Sequence, residues 1–267
     1  MFLSPQSGYQ PIQLYHLSTE GVRCDTAPPG ETLQQWAYFY WWLDISAPRV
    51  ELDVIPDNAV DLVISPAIPA FAALYFPVHK PFVIPLEGPI VYAGISLKAE
   101  TVPHLLGLDL PQLKSLEPGL ETVQALGLES LVAAAQEMTS IDEMAALMER
   151  TFAERSPVAA PDNPGGTMEL LLSHLEPAGI VKVAETLGVS ERTFRRLSSG
   201  LMGLSPKKIQ RVLRLQRALQ ELISQNQFVE QRGFYDDAHL IHELKALTGL
   251  TPGQLRRLAE IYNTRSR

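Results

Sequence analysis

Arginine side chains cluster on one short segment near the C-terminus of the chain. The segment begins with Ser190, a natural helix N-cap, and a helical wheel with Phe194 turned inward places Leu197 and Leu201 on the core side. The opposite, exposed face carries Arg192, Arg195, Arg196 and Ser199. A guanidinium group can donate two parallel hydrogen bonds to a phosphate or to the edge of a guanine base. The pattern favours contact with nucleic acid over an ordinary solvated helix surface, which is the other interpretation of such a cluster.

A second helix further along carries a weaker version of the same face. With Leu240 turned inward, Leu244 and Leu247 also face the core. The polar side of this helix carries Ala238, His239, Ile241, His242 and Lys245. Its apolar groups could contact thymine methyl groups and its lysine a phosphate, but a histidine is largely neutral at pH 7. The two histidines have no carboxylate or cysteine pattern to complete a metal site, so we predict no bound metal.

These two helices belong to a repeated pattern. Gly203-Leu204-Ser205-Pro206 returns 46 residues later as Gly249-Leu250-Thr251-Pro252. Short helices that alternate with glycine turns at such a spacing indicate two helix-turn-helix units side by side. Hydroxyl N-caps and first-turn prolines predict helix starts at residues 191, 206 and 252. The long helix from Pro206 would connect the two units, and its basic residues, Lys208 among them, could reach phosphate.

Charge is divided unevenly along the chain. Residues 166–267 contain 15 Lys and Arg against 10 Asp and Glu, whereas the whole chain has a net charge of −8. Only the C-terminal part therefore has the positive charge that a polyanionic partner requires. Double-stranded DNA is the partner that fits both this division and the paired helical units.

The N-terminal half has the sequence pattern of a small β-barrel or sandwich. Short β-branched or aromatic runs alternate with Pro-containing turns such as Ile55-Pro56-Asp57-Asn58. From about Val102 the pattern turns helical, and Ser140 opens a helix with an apolar stripe that includes Met144, Met148 and Phe152. We expect this stripe to pack within its own domain, and the alternative is a homodimer contact.

One predicted strand is unusually rich in aromatic residues. Trp36, Tyr38, Tyr40 and Trp42 alternate onto one face of it. Such a face could line a cavity for a small effector, although aromatic residues at this spacing more often fill a core. Both interpretations stay open at the level of sequence.

The predicted organisation is an α+β chain with two domains. A regulatory domain of β-barrel or sandwich type with helices covers residues 1–155, a linker rich in Pro and Gly covers 156–167, and an all-α domain with two helix-turn-helix units covers 168–267. No apolar run is long enough to span a membrane and no secretion signal is recognisable, so we expect a cytoplasmic protein. The single cysteine, Cys24, excludes an intramolecular disulfide.

An enzyme is the contrasting class of function. The sequence has no Gly-rich phosphate loop and no nucleophile with a base nearby, and His16, His79 and His104 are isolated from one another. We therefore predict neither catalysis nor a cofactor.

The motif Leu187-Gly188-Val189-Ser190-x-Arg-x-Phe-x-Arg and the stretch from Gly233-Phe234-Tyr235-Asp236 to Thr251-Pro252 resemble the DNA-binding domain of the AraC/XylS family of bacterial transcription regulators. The likeness covers residues 168–262. It implies two units that enter successive major grooves of an operator, with RNA polymerase as a protein partner. The N-terminal half also resembles the regulatory domain of some family members, which implies control by a small effector and leaves a homodimer open.

Two departures from the family pattern concern the second unit. His242 stands where a basic residue is usual, and the stretch from Ala218 to Gly233 is about three residues shorter than the family norm. Ser198-Ser199-Gly200 also replaces a basic, aromatic run in the first unit. The alternative function is therefore a relative that binds DNA weakly and acts mainly through protein contacts.

Overall fold

The computed structural model describes residues 11–17, 20–154, 179–186, 188–225 and 237–265. The predicted linker at 156–167, the predicted helix at 168–174 and the motif at 233–236 lie outside these ranges. Antiparallel sheet with helices forms the N-terminal half, and helices form the C-terminal half. This architecture confirms the predicted α+β fold class, and the β part is a sandwich rather than a closed barrel.

Two antiparallel sheets face each other in the N-terminal half. Their strands are β1 (Val22–Ala27), β2 (Ala37–Ile45), β3 (Arg49–Val54), β4 (Ala59–Ile64), β5 (Ala72–Tyr75), β6 (Phe82–Glu87) and β7 (Ile90–Lys98). The larger sheet has the order β1-β2-β7-β4-β5, and the smaller sheet pairs β3 with β6. Trp41 and Leu43 of β2 share one buried cluster with Val50 and Leu52 of β3, so the space between the sheets is apolar.

The other face of the larger sheet packs against helices. A short helix, α1 (Leu14–Leu17), precedes the strands, and five follow them: α2 (Val102–Leu106), α3 (Leu110–Ser115), α4 (Leu120–Ala125), α5 (Glu129–Ala135) and α6 (Ile141–Ala153). Met144, Met148 and Phe152 of α6 are buried in the same core as Leu62 and Ile64 of β4. The apolar stripe of α6 thus packs within its own half, as expected, and is not exposed for a homodimer contact.

Three of the C-terminal helices begin at residues 191, 206 and 252, where the caps and first-turn prolines predict. The C-terminal helices are α7 (179–186), α8 (Glu191–Met202), α9 (Pro206–Gln225), α10 (Asp237–Thr248) and α11 (Pro252–Arg265). Ser190 caps α8 by accepting a hydrogen bond from the amide of Thr193 at 3.2 Å. The helix ends at Gly203, whose left-handed φ of 69° suits a residue without a side chain. Within the described ranges, no helix is long and apolar enough to cross a membrane.

The connecting helix α9 is anchored to the N-terminal half through Gln216, which is fully buried. Its Oε1 accepts a hydrogen bond from the amide of Ile12 at 2.7 Å, and its Nε2 donates to the carbonyl oxygens of Ile12 at 3.1 Å and Pro56 at 2.8 Å. Ile12, Leu14 and Ile55 also join apolar residues of α9, α10 and α11 in one buried cluster. The two halves of the chain therefore share core contacts.

Candidate nucleic-acid interface and N-terminal cavity

Helix α8 presents its basic side chains to solvent. The predicted contact residues Arg192, Arg195, Arg196 and Ser199 are all exposed on it. Arg195 is partly neutralised, because its guanidinium lies 3.3 Å from the carboxylate of Glu191 one turn earlier. In the part of the chain that the structure describes, Arg192 and Arg196 form no ion pair. Helix α8 can thus offer two guanidinium groups to a ligand without breaking an existing pair. The sequence signal for the Glu191–Arg195 ion pair was the i, i+4 spacing of these two residues.

The buried side of α8 differs from the predicted one at Leu197. Phe194, Ser198 and Met202 are each 1% exposed, whereas Leu197 is 41% exposed. Residues four apart share one face of a helix, so these three take the core positions and turn Leu197 outward beside Arg196. The buried Ser198 hydroxyl donates to the Phe194 carbonyl oxygen at 2.9 Å. The predicted core position of Leu197 is therefore wrong, and the side chain of Leu201 is not among those described.

Helix α10 presents a less charged face than α8. Ala238, Ile241, His242 and Lys245 are exposed on it, and Leu244 and Leu247 are buried, as the helical wheel predicts. His239 is half-buried, so it is less accessible to a ligand than the other predicted contact residues. No group of three or more side chains that could hold a metal ion occurs among the described residues.

An ion pair fixes α10 against the connecting helix. The Arg211 guanidinium donates from Nε to one carboxylate oxygen of Glu243 at 2.6 Å and from its NH2 group to the other at 3.0 Å. Burial alone would raise the pKa of Glu243, but the hydrogen bond and charge of Arg211, together with the charges of His239 and Arg214, hold that pKa below its usual value. Two parallel hydrogen bonds fix orientation as well as distance, so this pair sets how α10 is presented.

The Arg211–Glu243 pair is expected to contribute more to the free energy of unfolding than an exposed ion pair does. A double-mutant cycle of Arg211→Met and Glu243→Met should give a coupling free energy of about 1 to 2 kcal/mol, because the pair is bidentate and partly buried. The exposed Lys182–Glu185 pair, 3.5 Å apart, is the matched control and should give at most about 0.5 kcal/mol. Urea unfolding measures both cycles, and equal couplings would contradict a structural role for Arg211.

The start of α9 lies at the boundary between the two halves. Lys208 is exposed, and its charge acts on His79, whose pKa is lowered first by desolvation and then by this lysine. A side chain added at Gly203 would collide with the ammonium group of Lys114 on α3. Residues of the N-terminal half therefore lie next to the turn that joins α8 to α9. The phosphate contact of Lys208 stays a prediction.

A cavity of about 110 Å³ lies between the two sheets of the sandwich. Its walls are mostly apolar and aromatic, and they comprise Tyr15, Trp41, Leu43, Leu52, Val54, Asp61, Val63, Phe71, Tyr75, Phe82, Ile84, Leu86 and Tyr92. Gly94, directly opposite Trp41 on β7, makes room for the indole ring, because any Cβ there would collide with it. The indole Nε1 then donates to Asp61 at 3.1 Å.

The four aromatic residues predicted to line a cavity are not among those that line this one. Trp36, Tyr40 and Trp42 belong to the core between the larger sheet and the helices. Tyr40 donates a hydrogen bond from its hydroxyl to Glu149 of α6 at 2.6 Å, which ties the strand to that helix. Tyr38 packs beside the cluster between the sheets without lining the cavity. The cavity belongs instead to the face of β2 that carries Trp41 and Leu43.

Two regions of the chain match models of known protein families. Residues 183–258 match the model of a family described as a helix-turn-helix domain. Residues 25–117 match a family described only as a domain of unknown function. None of the curated proteins matches the chain.

Among solved structures, the chain is similar to ToxT from Vibrio cholerae. An apo single-residue variant of ToxT from strain SCE256 has 11% identity and a TM-score of 0.41, over 89% of this chain and 97% of that one. ToxT from strain O395 has 10% identity and a TM-score of 0.39, over 90% and 99% of the two chains. A third structure, ToxT from the same strain bound to (E)-4-(8-methylnaphthalen-1-yl)but-3-enoic acid, has 11% identity and a TM-score of 0.37, over 90% and 100%.

Proposed function

We infer that this chain, whose C-terminal part belongs to the AraC/XylS family of bacterial transcription regulators, reads an operator in double-stranded DNA with its two helix-turn-helix units. The observation that carries this inference is the exposed face of α8, where Arg192 and Arg196 follow a capped helix start without an ion pair among the described residues. In such a unit, the side chains just after the start of the recognition helix enter the major groove. Bidentate bonding of one arginine to guanine would give sequence preference.

The second unit would contribute more to the position of the protein along the DNA than to the positive charge of the binding surface. Exposed Ala238 and Ile241 can contact thymine methyl groups, and Lys245 can neutralise one phosphate. The Arg211–Glu243 pair holds this face at a fixed angle to the connecting helix. The two units would then lie in successive major grooves, with RNA polymerase recruited beside them.

The N-terminal half would supply the control of this regulator. We assign it residues 1–155 and assign DNA binding to residues 168–267, with the cavity between the sheets as the site of a small effector. The buried contacts of Gln216 join the sandwich directly to the helix that carries both units. A change in the sandwich could therefore alter the presentation of α8 and α10.

The full chain is expected to shift duplex DNA in a gel, and the shift should weaken steeply as salt rises. Each phosphate neutralised by Lys or Arg contributes about −0.9 to the slope of log affinity against log salt, because condensed counterions are released. The experiment selects an operator from random duplexes and repeats the titration at several salt concentrations. The full chain is used because the two halves share core contacts.

Failure to shift any selected duplex at low salt would remove the DNA-binding proposal.

The low charge of α10 favours a second candidate function. Lys245 is the one fixed positive charge on the exposed face of α10 described above. In that second function the chain acts mainly through protein contacts and binds DNA weakly. The same operator selection distinguishes the two candidate functions, since a chain that binds DNA weakly enriches no sequence from the random duplexes.

A further inference from the structure

The cavity between the sheets combines aromatic walls with a single acidic group. The aromatic rings at its surface belong to Tyr15, Trp41, Phe71, Tyr75, Phe82 and Tyr92. Among the described residues that line the cavity, Asp61 is the one carboxylate and none carries a positive charge. An aromatic ring has a negative face, so these walls and Asp61 favour the same sign of charge in a ligand.

Asp61 is held in place by neutral donors. The indole Nε1 of Trp41 donates to its Oδ1 at 3.1 Å, and the hydroxyl of Ser96, directly across on β7, gives it a second hydrogen bond. Burial raises the pKa of Asp61 despite these bonds, and burial together with the charge of Asp61 raises the pKa of Asp57 nearby. A carboxylate that is costly to keep ionised in its surroundings gains most from a cation placed beside it.

Tyr15 also lines the cavity and feels the charge of this carboxylate. Burial first, and then the charge of Asp61, raise the pKa of Tyr15 well above its usual value, so the phenol stays neutral. Asp61 is therefore the main charged group at the cavity, since none of the described residues that line it carries a positive charge. An anionic ligand would be repelled by the ionised carboxylate of Asp61, whereas a cation would form an ion pair with it.

We propose that this cavity binds a small organic cation, an alkylammonium or quaternary ammonium group, with Asp61 as its counter-ion and the aromatic rings as its walls. The proposal rests on the effector site assigned to the N-terminal half above and names the chemical class of that effector. A cavity of about 110 Å³ can hold a compact cation. Cation–π contacts with several rings and one ion pair would supply its affinity.

The test compares choline with 3,3-dimethylbutan-1-ol, its neutral isostere, by isothermal titration calorimetry on the full chain. The two probes have the same shape, so their difference reports the charge alone. Choline is expected to bind at least tenfold more tightly than the alcohol. Asp61→Asn should reduce choline affinity at least tenfold and leave the affinity for the alcohol unchanged, because the amide keeps an acceptor for the Trp41 indole and loses only the charge.

A matched control is Glu51→Gln, which removes one negative charge from an exposed position on β3. It should leave choline binding unchanged, and circular dichroism should show both variants folded. Equal binding of choline and the alcohol, binding of neither, or an equal effect of the two variants would overturn the inference. Operator binding is measured separately on the same protein. If the unaltered protein binds DNA but not choline, only the cation site is refuted. If it binds choline but not DNA, only the DNA-binding function is refuted.

Discussion

Arg196→Ala is expected to weaken operator binding by about tenfold or more. A good bidentate contact between arginine and a base contributes about 1 to 3 kcal/mol of discrimination, and Arg196 is exposed on α8 without an ion pair in the described residues. Arg195→Ala should cost less than Arg196→Ala, because Arg195 must first release Glu191 at 3.3 Å. Titration of each variant against the selected operator at fixed salt gives the affinities.

His242→Ala is the matched control on the second unit. His242 is exposed on α10 as Arg196 is on α8, but an imidazole ring cannot form the two parallel hydrogen bonds that a guanidinium group forms with a guanine. Its loss should therefore change affinity only a few-fold at neutral pH. An effect of His242→Ala as large as that of Arg196→Ala, with both proteins folded, would show that the two units contribute equally and that the asymmetry inferred from their faces is wrong.

Local signals account for the features of the fold that sequence predicted well. The starts of α8, α9 and α11 depend on an N-cap or a first-turn proline, and those residues act within one turn of the position they mark. Helical periodicity likewise placed Leu244 and Leu247 in the core. It failed at Leu197, because Ser198 is a polar residue that can be buried once its hydroxyl bonds to the preceding turn.

The face of β2 that lines the cavity could not be read from sequence. Strand β2 lies inside the larger sheet, which has the smaller sheet on one side and helices on the other, so both of its faces are buried. Alternation separates Trp36, Tyr40 and Trp42 from Trp41, but it does not tell which set meets open space. The sequence signal for the cavity face was Asp61 in Val60-Asp61-Leu62. A carboxylate within a β-branched strand indicates a polar function on its face of the sheet.

The role of Gln216 depends on contacts that no local pattern contains. It stands between Leu215 and Arg217 on an amphipathic helix, where a glutamine would ordinarily be solvated. Its partner Ile12 is 204 residues away in the sequence. All three of its hydrogen bonds go to backbone groups, which leave no signature in the residue types of the N-terminal segment.

Gln216→Leu is expected to lower the free energy of unfolding by about 2 to 4 kcal/mol. The substitution keeps the volume of the side chain, but it leaves the amide and carbonyl of Ile12 and the carbonyl of Pro56 buried without their partner. Leaving a buried donor or acceptor unpaired costs about 1 to 3 kcal/mol, and some of this is recovered as the N-terminal segment relaxes. Gln225→Leu, at the exposed end of the same helix, makes the same chemical change and should shift stability by no more than about 0.5 kcal/mol. Urea unfolding of both variants at neutral pH decides between a bridge and an incidental contact: the same unfolding midpoint for the two would mean that Gln216 does not join the sandwich to the connecting helix.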